Sequence, residues 1–343
     1  MTASLIVRDP GLFATIQDLG RWDYLKFGVS NSGAMDRVSL QIANMLVGND
    51  PGEAAVEFTA MGGTYEVAAE SCRMAVVGGD FPVSIDNEPA APYTSHTLAR
   101  GSRLSIGYSR SGMRGYLAVS GGFDLLPALG SLSTHIRFGL GGLNGKALAP
   151  DSRIPLKKPD LSPGADLFLD ASLIPGTAGP IRVVMGPQDD YFAEDGIKTF
   201  LSSQYRVTGQ SDRMGFRLDG PEIAHAGDFN IVSDGIAAGS VQVPGNRLPI
   251  VLLADRQTTG GYPKIATVIT ADLHRLAQME PGEMIRFESV SVETAEDEYL
   301  RLRRCLENIA ESLEPTDSET TETYRLLSAN LIDGVCWINP NVA

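Results

Sequence analysis

Apolar positions along this chain recur in short runs that suit β-strands. Leu5-Ile6-Val7 and Leu12 to Ile16 flank the turn Asp9-Pro10-Gly11, and similar runs follow in both halves of the chain. The other predicted strands lie at 55–58, 64–67, 74–77, 83–85, 104–106, 115–119, 181–184, 205–207, 230–232, 241–243, 250–253 and 284–287. Short strands separated by frequent turns predict a sandwich or a barrel.

Helical spacing interrupts this pattern in three places. Apolar residues at 38, 42 and 46 predict a helix that is capped by Asp36 or Ser32 and stops at Gly48. The acidic pair at 189–190 suits the first turn of a second helix that runs toward Leu201. A third helix is predicted near the C-terminus from the spacing of Tyr299, Leu302, Leu306, Ile309 and Leu313.

Composition shifts divide the chain into three parts. The Pro/Gly-rich stretch 173–180 indicates a domain junction, so we predict a first subdomain at 1–175 and a second at 176–290. Residues 291–343 are predicted to form a helix followed by an acidic tail, within which 314–323 is a solvated linker. The apolar end at 326–338 is expected to dock on the body or on a partner.

The two halves resemble copies of one another. Gly121-Gly122 follows the predicted strand 116–119, and Gly260-Gly261 follows the predicted strand ending at Leu253. Matching residues continue after each Gly-Gly at a nearly constant offset, which favours an internal duplication. The second copy differs by having the polar run 255–259 before its glycines, where the first copy has only Ser120.

Charge and cysteine content exclude several classes of protein. Lys+Arg 28 against Asp+Glu 42 gives a net charge of −14, which argues against binding to nucleic acid. Cysteines at 72, 305 and 336 form no CxxC pair and are expected to be reduced, structural thiols. With no basic and apolar leader and no long apolar run, we expect a cytoplasmic protein that does not cross a membrane.

The polar run that ends the strand 250–253 is the main candidate for chemistry. Asp255 offers acceptors, Arg256 a fork of donors, Gln257 both kinds of group, and Gly260-Gly261 lets a ligand approach the backbone. The alternative is an ordinary solvated loop. Lys264 follows closely and adds a point charge.

Three other charged turns are weaker candidates for contact with a ligand. Arg213 could grip a carboxylate or a phosphate. Asp18 and Arg21 suit either a ligand contact or a bridge to each other, and Asp36 with Arg37 suits either anion binding or simple helix capping. The P-loop and nucleophile-elbow templates fail, and the histidines at 96, 135, 225 and 274 are expected to be surface or satisfied core residues without a metal.

Several ordered motifs together resemble a known family. They are 10–21, 28–29, 32–37, 130–131, 133–134, 186–190, 211–215, 242–244 and 255–264. The chain is similar in these stretches to the family that includes the C subunit of bacterial 5-oxoprolinase, the KipI-antagonist protein, and a carboxyltransferase segment of urea carboxylase, also called allophanate hydrolase subunit 2. The resemblance covers roughly residues 5–290.

The resemblance implies an all-β-dominated fold with two cyclophilin-like β-barrel subdomains, a few short helices and the C-terminal helical tail. It also implies a complex with a B subunit (KipI-like) and an A subunit, which together hydrolyse 5-oxoproline to glutamate with ATP, and Mg is a further candidate cofactor. On this basis Asp255, Arg256 and Lys264 are the expected catalytic residues. The expected substrate-binding residues are Gln257, Thr259, Tyr262, Arg213, Asp36 and Gln242.

Two other activities stay open at this point. One is a biotin-dependent carboxyltransferase that takes its carboxyl group from biotin on a partner. The other is a non-catalytic antagonist that binds a kinase inhibitor. Family membership alone does not separate them, because one fold hosts several functions.

Overall fold

The computed structural model describes residues 3–158 and 164–316, and strands dominate these ranges. In the first half the strands are β1 (Ser4–Asp9), β2 (Ala14–Gln17), β3 (Ala55–Thr59), β4 (Met61–Val67), β5 (Ser71–Asp80), β6 (Val83–Ile85), β7 (Glu88–Pro89), β8 (Ser95–Ala99), β9 (Arg103–Tyr108), β10 (Ser111–Val119), β11 (Arg153–Pro155) and β12 (Leu167–Phe168). In the second half they are β13 (Ile181–Met185), β14 (Gln204–Val207), β15 (Gly215–Asp219), β16 (Asp234–Gly235), β17 (Ser240–Gln242), β18 (Ile250–Leu252), β19 (Thr259–Gly260), β20 (Lys264–Val268), β21 (Met284–Ser289) and β22 (Glu314–Pro315). The α-helices are α1 (Arg37–Leu46), α2 (Glu194–Ser202), α3 (Leu273–Ala277) and α4 (Val292–Glu311).

The first half consists of two antiparallel sheets that share one core. Their strand orders are β11-β1-β4-β9-β6-β7 and β2-β3-β10-β5-β8. The apolar run at 116–119 is continuous because β10 is buried on both faces. Leu117 and Val119 point into the core between the sheets, while Tyr116 and Ala118 point to a second core beneath α1.

The second half is a closed seven-stranded barrel with the order β13-β20-β17-β18-β15-β14-β21. The parallel pair β13 and β21 closes the ring, and the other pairs are antiparallel. Stacked rings of Phe200 and Phe287, 4.6 Å apart, help to fill the barrel core. Met35, which precedes α1 in the first half, is also buried in this core and so ties the halves together.

The helix that follows the barrel in sequence returns to the first half. Leu306 and Ile309 of α4 are buried with the apolar face of α1, and Ser291 caps α4 by accepting a hydrogen bond from Thr294 N. Beyond it, β22 pairs with β12. No helix in the described ranges has the length and apolar content needed to cross a bilayer.

The strand-dominated class, the barrel and the C-terminal helix are confirmed. The predicted strand at 230–232 is wrong: this segment is irregular, Val232 is 92% exposed, and pairing starts only at β16. The predicted second helix starts later than expected, since the acidic pair lies in a 3-10 turn (Asp189–Tyr191) ahead of α2.

In the predicted linker 314–323, Glu314 and Pro315 belong to a strand. The rest of that linker from 317 and the apolar end at 326–338 lie outside the described residues. The division of the chain at 175/176 and the internal duplication stay predictions.

Asp36 is the N-cap of α1, and its side chain also binds a residue of the second half. Its carboxylate accepts hydrogen bonds from Ser39 N at 2.9 Å, from Ser39 Oγ at 2.6 Å and from Gln278 Nε2 of the second half at 2.7 Å. It is 2% exposed. We therefore predict that Asp36→Ala lowers the free energy of unfolding by about 2–4 kcal/mol, because a cap and charged hydrogen bonds are lost together.

Ser291→Ala is the matched control in chemical denaturation, since it removes an exposed N-cap and should cost about 1 kcal/mol. Equal losses for the two variants would contradict the bridging role of Asp36.

Candidate functional site

A tight turn between β14 and β15 directs Arg213 into the space between the two halves. The carboxylate of Asp212 accepts hydrogen bonds from Met214 N at 2.8 Å and from Gly215 N at 3.2 Å, which shapes the turn. Asp255 N donates to the Arg213 carbonyl at 2.9 Å, so the polar loop after β18 lies alongside. The turn thus brings Arg213 beside Asp255.

The Arg213 guanidinium is buried and bound by acceptors from both halves. It donates to Asp255 Oδ2 at 2.8 Å and Oδ1 at 3.1 Å, to the Gly33 carbonyl at 2.7 Å, and to Glu57 of β3. Burial alone would lower its pKa, but Asp255 and Glu57 raise it above the ordinary arginine value. Arg213 therefore stays charged and joins the halves as an ion pair and hydrogen-bond centre.

Asp255 stays ionised for the matching reason. Burial would raise the pKa of its carboxyl group, but the Arg213 charge and hydrogen bonds from Arg213 and Ser32 hold that pKa below the ordinary value. Ser32 Oγ donates to Asp255 Oδ1 at 2.6 Å. The Asp255 carboxylate is thus ionised and held in place by Arg213 and Ser32.

Glu57 extends the cluster into the first half. Its Oε2 accepts from Tyr116 Oη at 2.7 Å and from Met35 N at 2.8 Å. Tyr116 Oη in turn accepts from Asp36 N at 2.7 Å. Because Glu57 and Tyr116 are directly opposite in the β3–β10 register, the sheet itself fixes this part of the cluster.

A cavity of about 470 Å³ opens beside the cluster, between the halves. The first half contributes Phe13, Thr15, Thr59, Arg114 and 134–137, and the second half contributes 211–214 and Asp255. Cavities at such junctions are the usual location of small-molecule sites. Among the predicted site residues, Arg213 and Asp255 line this cavity.

Three residues of the cavity wall carry polar atoms without a hydrogen-bond partner in the described part of the chain. They are His135 Nε2, Arg114 Nε and Ser211 Oγ. Burial lowers the pKa of His135, so its imidazole is neutral near pH 7. The prediction that every histidine is exposed or satisfied is therefore wrong for His135, and also for His274, whose ring nitrogens are both unpartnered within 3–158 and 164–316.

Arg256 is buried where two loops meet. It donates to the carbonyls of Ile236 at 3.1 Å and Leu253 at 3.3 Å, and to Asn31 Oδ1 at 3.1 Å. Burial lowers its pKa to about 10. All three guanidinium nitrogens thus have protein acceptors, and Arg256 holds the 255–259 loop against the first half.

Lys264 belongs to a second polar group on the barrel. Its Nζ donates to Asp234 Oδ2 at 2.7 Å and to the Gly235 carbonyl at 3.0 Å, and Gln188 Nε2 donates to the same Asp234 oxygen at 3.1 Å. Lys264 is 1% exposed, whereas Asp234 is exposed. An exposed carboxylate therefore covers a buried ammonium.

Gln242 connects this group to the predicted substrate-binding loop. Its Nε2 donates to the Tyr262 carbonyl at 3.2 Å and its Oε1 accepts from Gln257 Nε2 at 3.4 Å. Gln257, Thr259 and Tyr262 are exposed. The predicted residues thus separate into the cavity pair Arg213–Asp255, Arg256 where two loops meet, the Lys264 group with its loop, and Asp36 at the helix cap.

Asp18 and Arg21 brace a loop of the first half. Asp18 accepts from Ser131 Oγ at 2.7 Å and Leu132 N at 2.6 Å, while Arg21 donates to the Ser133 carbonyl. The bridge between Asp18 and Arg21, one of the two alternatives from the sequence, is not among the ion pairs of the described residues, and each side chain binds this loop instead. These contacts position 131–134 beside the cavity.

Sequence reasoning missed Glu57, Arg114 and His135. Glu57 and Arg114 lie inside predicted strands or next to them, where a lone charge in an apolar run was the available signal.

Within the described ranges no group of three or more His, Cys, Asp and Glu residues is placed to hold a metal ion.

Comparison with known proteins places this geometry in a family. A family model described as carboxyltransferase domain, subdomain A and B, matches residues 27–289. The C subunit of 5-oxoprolinase from Escherichia coli (strain K12) is 38% identical over 285 residues, which cover 83% of this chain and 91% of that protein. Urea amidolyase of Saccharomyces cerevisiae is 31% identical over 305 residues, which cover 83% of this chain and 16% of that protein.

A solved structure of a related protein also matches this chain. The crystal structure of the Kluyveromyces lactis urea carboxylase matches with a TM-score of 0.84 and 30% identity, covering 90% of this chain and 29% of that chain. This chain therefore corresponds to a segment of the two fungal proteins but to nearly all of the bacterial subunit. It belongs to the family of carboxyltransferase domains with subdomains A and B.

Proposed function

We propose that this chain is the C subunit of a 5-oxoprolinase, which hydrolyses 5-oxo-L-proline to L-glutamate together with A and B subunits. The observation that carries the proposal is the match to 91% of the Escherichia coli 5-oxoprolinase chain, whereas the match covers 16% of urea amidolyase. A chain that matches a relative nearly from end to end is comparable to it as a subunit. Activity is assigned to the complex.

The cavity between the halves supports this proposal. It offers a wall of fixed charge, Arg213 and Asp255, next to apolar surface from Phe13 and Met214. A small cyclic amide with one charged group suits a cavity that is largely apolar with a few polar groups. We assign Arg213 and Asp255 to this wall and Arg256 to holding the loop that carries Asp255.

The Lys264 group is assigned to the contact with a partner subunit. Lys264 is buried beneath Asp234, and Gln257, Thr259 and Tyr262 are exposed around the same loop. Movement of the exposed Asp234 would free the ammonium for a substrate or nucleotide oxygen, which is how a lysine stabilises developing negative charge. Gln242 keeps the loop in place.

ATP is not assigned to the cavity of this chain. The sequence does not match the P-loop template that cradles a triphosphate. We therefore propose that the ATP, with any Mg, is held chiefly by the partner subunits. The chain's own contribution is to bind and orient the lactam.

A carboxyltransferase is the second candidate. It is favoured by the family description and by the TM-score of 0.84 to urea carboxylase. In that case the carboxyl group would come from biotin on a partner, and the same cavity would hold the acceptor. A KipI-antagonist role, in which the chain binds a partner without turnover, is the third.

We expect the chain, co-purified with its A and B partners, to form glutamate from 5-oxo-L-proline only when ATP is present. The measurement is glutamate released per ATP hydrolysed, with urea plus biotin carboxylase and carrier protein as the parallel assay. Carboxylation of urea without glutamate formation would replace the proposal with the carboxyltransferase. Stable assembly without either reaction would favour the regulator.

Lys264→Met should reduce kcat of the complex about 100-fold, because a positioned charge is removed while the length of the side chain is kept. Lys198→Met is the matched control, since Lys198 is an exposed lysine on α2, and it should leave kcat unchanged. Wild-type turnover in Lys264→Met would remove Lys264 from the catalytic set.

A further inference from the structure

Arg114 is an unusual cation within the cavity wall. It is 6% exposed, and no carboxylate of the described residues lies within ion-pair distance of it. Its Nη1 donates to the Thr59 hydroxyl, but its Nε has no acceptor within 3–158 and 164–316. Glu57 interacts with Arg114 electrostatically, at a distance longer than that of an ion pair. A buried guanidinium in this state is costly unless an anion completes it.

His135 presents a second unused donor to the same cavity. Its Nδ1 accepts the Phe138 N–H at 3.4 Å, and its ring stacks on Phe138 with centroids 4.4 Å apart. Since Nδ1 is the acceptor, the proton of the neutral ring lies on Nε2. That Nε2 is buried without a partner in the described part of the chain. Arg114 Nε and His135 Nε2 are thus two N–H donors of the cavity wall that have no acceptor in the described part of the chain.

We propose that Arg114 and His135 form a carboxylate-binding subsite in the cavity between the two halves, and that its ligand is a monocarboxylate with a small apolar body. Both residues line this cavity, and two N–H donors match the two oxygens of one carboxylate. Phe13, Ile136 and Met214 supply apolar surface for the rest of the ligand.

The charge of the cavity selects a single negative charge. Asp212 and Asp255 line the same space, and Asp255 is ionised beside Arg213. Arg114, Arg137 and Arg213 line it as well, so three guanidiniums face two carboxylates and the lining has a net charge of +1. A monoanion balances that charge, whereas a dianion such as phosphate exceeds it and should bind less tightly. Naming the ligand as 5-oxo-L-proline, a cyclic monocarboxylate, rests on the proposed function. The carboxylate class rests on Arg114 and His135.

Isothermal titration of the full chain with 5-oxo-L-proline, pyrrolidin-2-one and inorganic phosphate tests the subsite. Pyrrolidin-2-one has the same lactam ring without the carboxylate. We expect 5-oxo-L-proline to bind at least about tenfold more tightly than either of the others, as a charged hydrogen-bonded contact requires. Equal binding of the lactam with and without its carboxylate would overturn the subsite, as would no binding at all.

Arg114→Gln should weaken 5-oxo-L-proline binding by about tenfold or more and leave pyrrolidin-2-one unaffected. Arg110→Gln makes the same change of charge at an exposed arginine that pairs with Asp80 outside the cavity, and it should alter binding less than about twofold. His135→Phe keeps the ring stack and removes the donor, so it decides the matter if Arg114→Gln fails to fold. Unchanged affinity in His135→Phe would then refute the subsite.

The complex with its partners separates this inference from the proposed function. If the complex turns over 5-oxo-L-proline and both variants keep the wild-type KM, the subsite is wrong and the 5-oxoprolinase assignment stands. If the chain binds the carboxylate with the expected loss in both variants, but the complex forms no glutamate, the subsite stands and the assignment fails.

Discussion

The buried guanidinium of Arg213 lies between the two halves and must be neutralised by nearby carboxylates. In this chain the groups that bind it come from both halves. Arg213 is charged and 7% exposed, and its acceptors are Glu57, Asp255 and the Gly33 carbonyl. Glu57 lies 156 residues from Arg213 in sequence. The cluster is therefore complete only when the sandwich and the barrel are docked. Removing one partner of such a pair costs about 3–5 kcal/mol, because a charge is left buried and unpaired.

The same cluster builds the cavity. Asp255 is held on one side by Arg213 and on the other by Ser32, so the loop after β18 has a fixed position against the first half. Arg256 strengthens this attachment through Asn31. The charges of Arg213 and Asp255 are thus already paired, whereas Arg114 and His135 of the same cavity have donors without a partner in the described part of the chain. Ligand recognition and attachment of the halves use different arginines.

The local pattern of apolar and polar residues was sufficient to predict most of the strands and helices. Short apolar runs placed β1, β10 and β18, and the cap at Asp36 followed from its position before an apolar stripe. The segment 230–232 failed because Ile231 and Val232 have strand-like composition but lie in an exposed loop shaped by Asp228, whose carboxylate accepts from Asn230 N. Tertiary context overrides propensity in such short segments.

The site was only partly accessible from the sequence. Arg213 was predicted from a charged turn and Asp255 from the polar run that ends a strand, and both line the cavity. Glu57, Arg114 and His135 were missed because their roles depend on pairings between distant strands and loops, which a single sequence does not specify. Asp36 and Arg256 were expected at a ligand, whereas their contacts in the structure hold α1 and the loops in place.

The Arg213–Glu57 pair is expected to couple the two halves, and a double-mutant cycle measures this coupling directly. Free energies of unfolding are compared for the wild type, Glu57→Gln, Arg213→Gln and the double variant. We expect a coupling energy of about 2 kcal/mol or more, with the double variant less destabilised than the sum of the single variants. Additive effects, with coupling below about 0.5 kcal/mol, would contradict it.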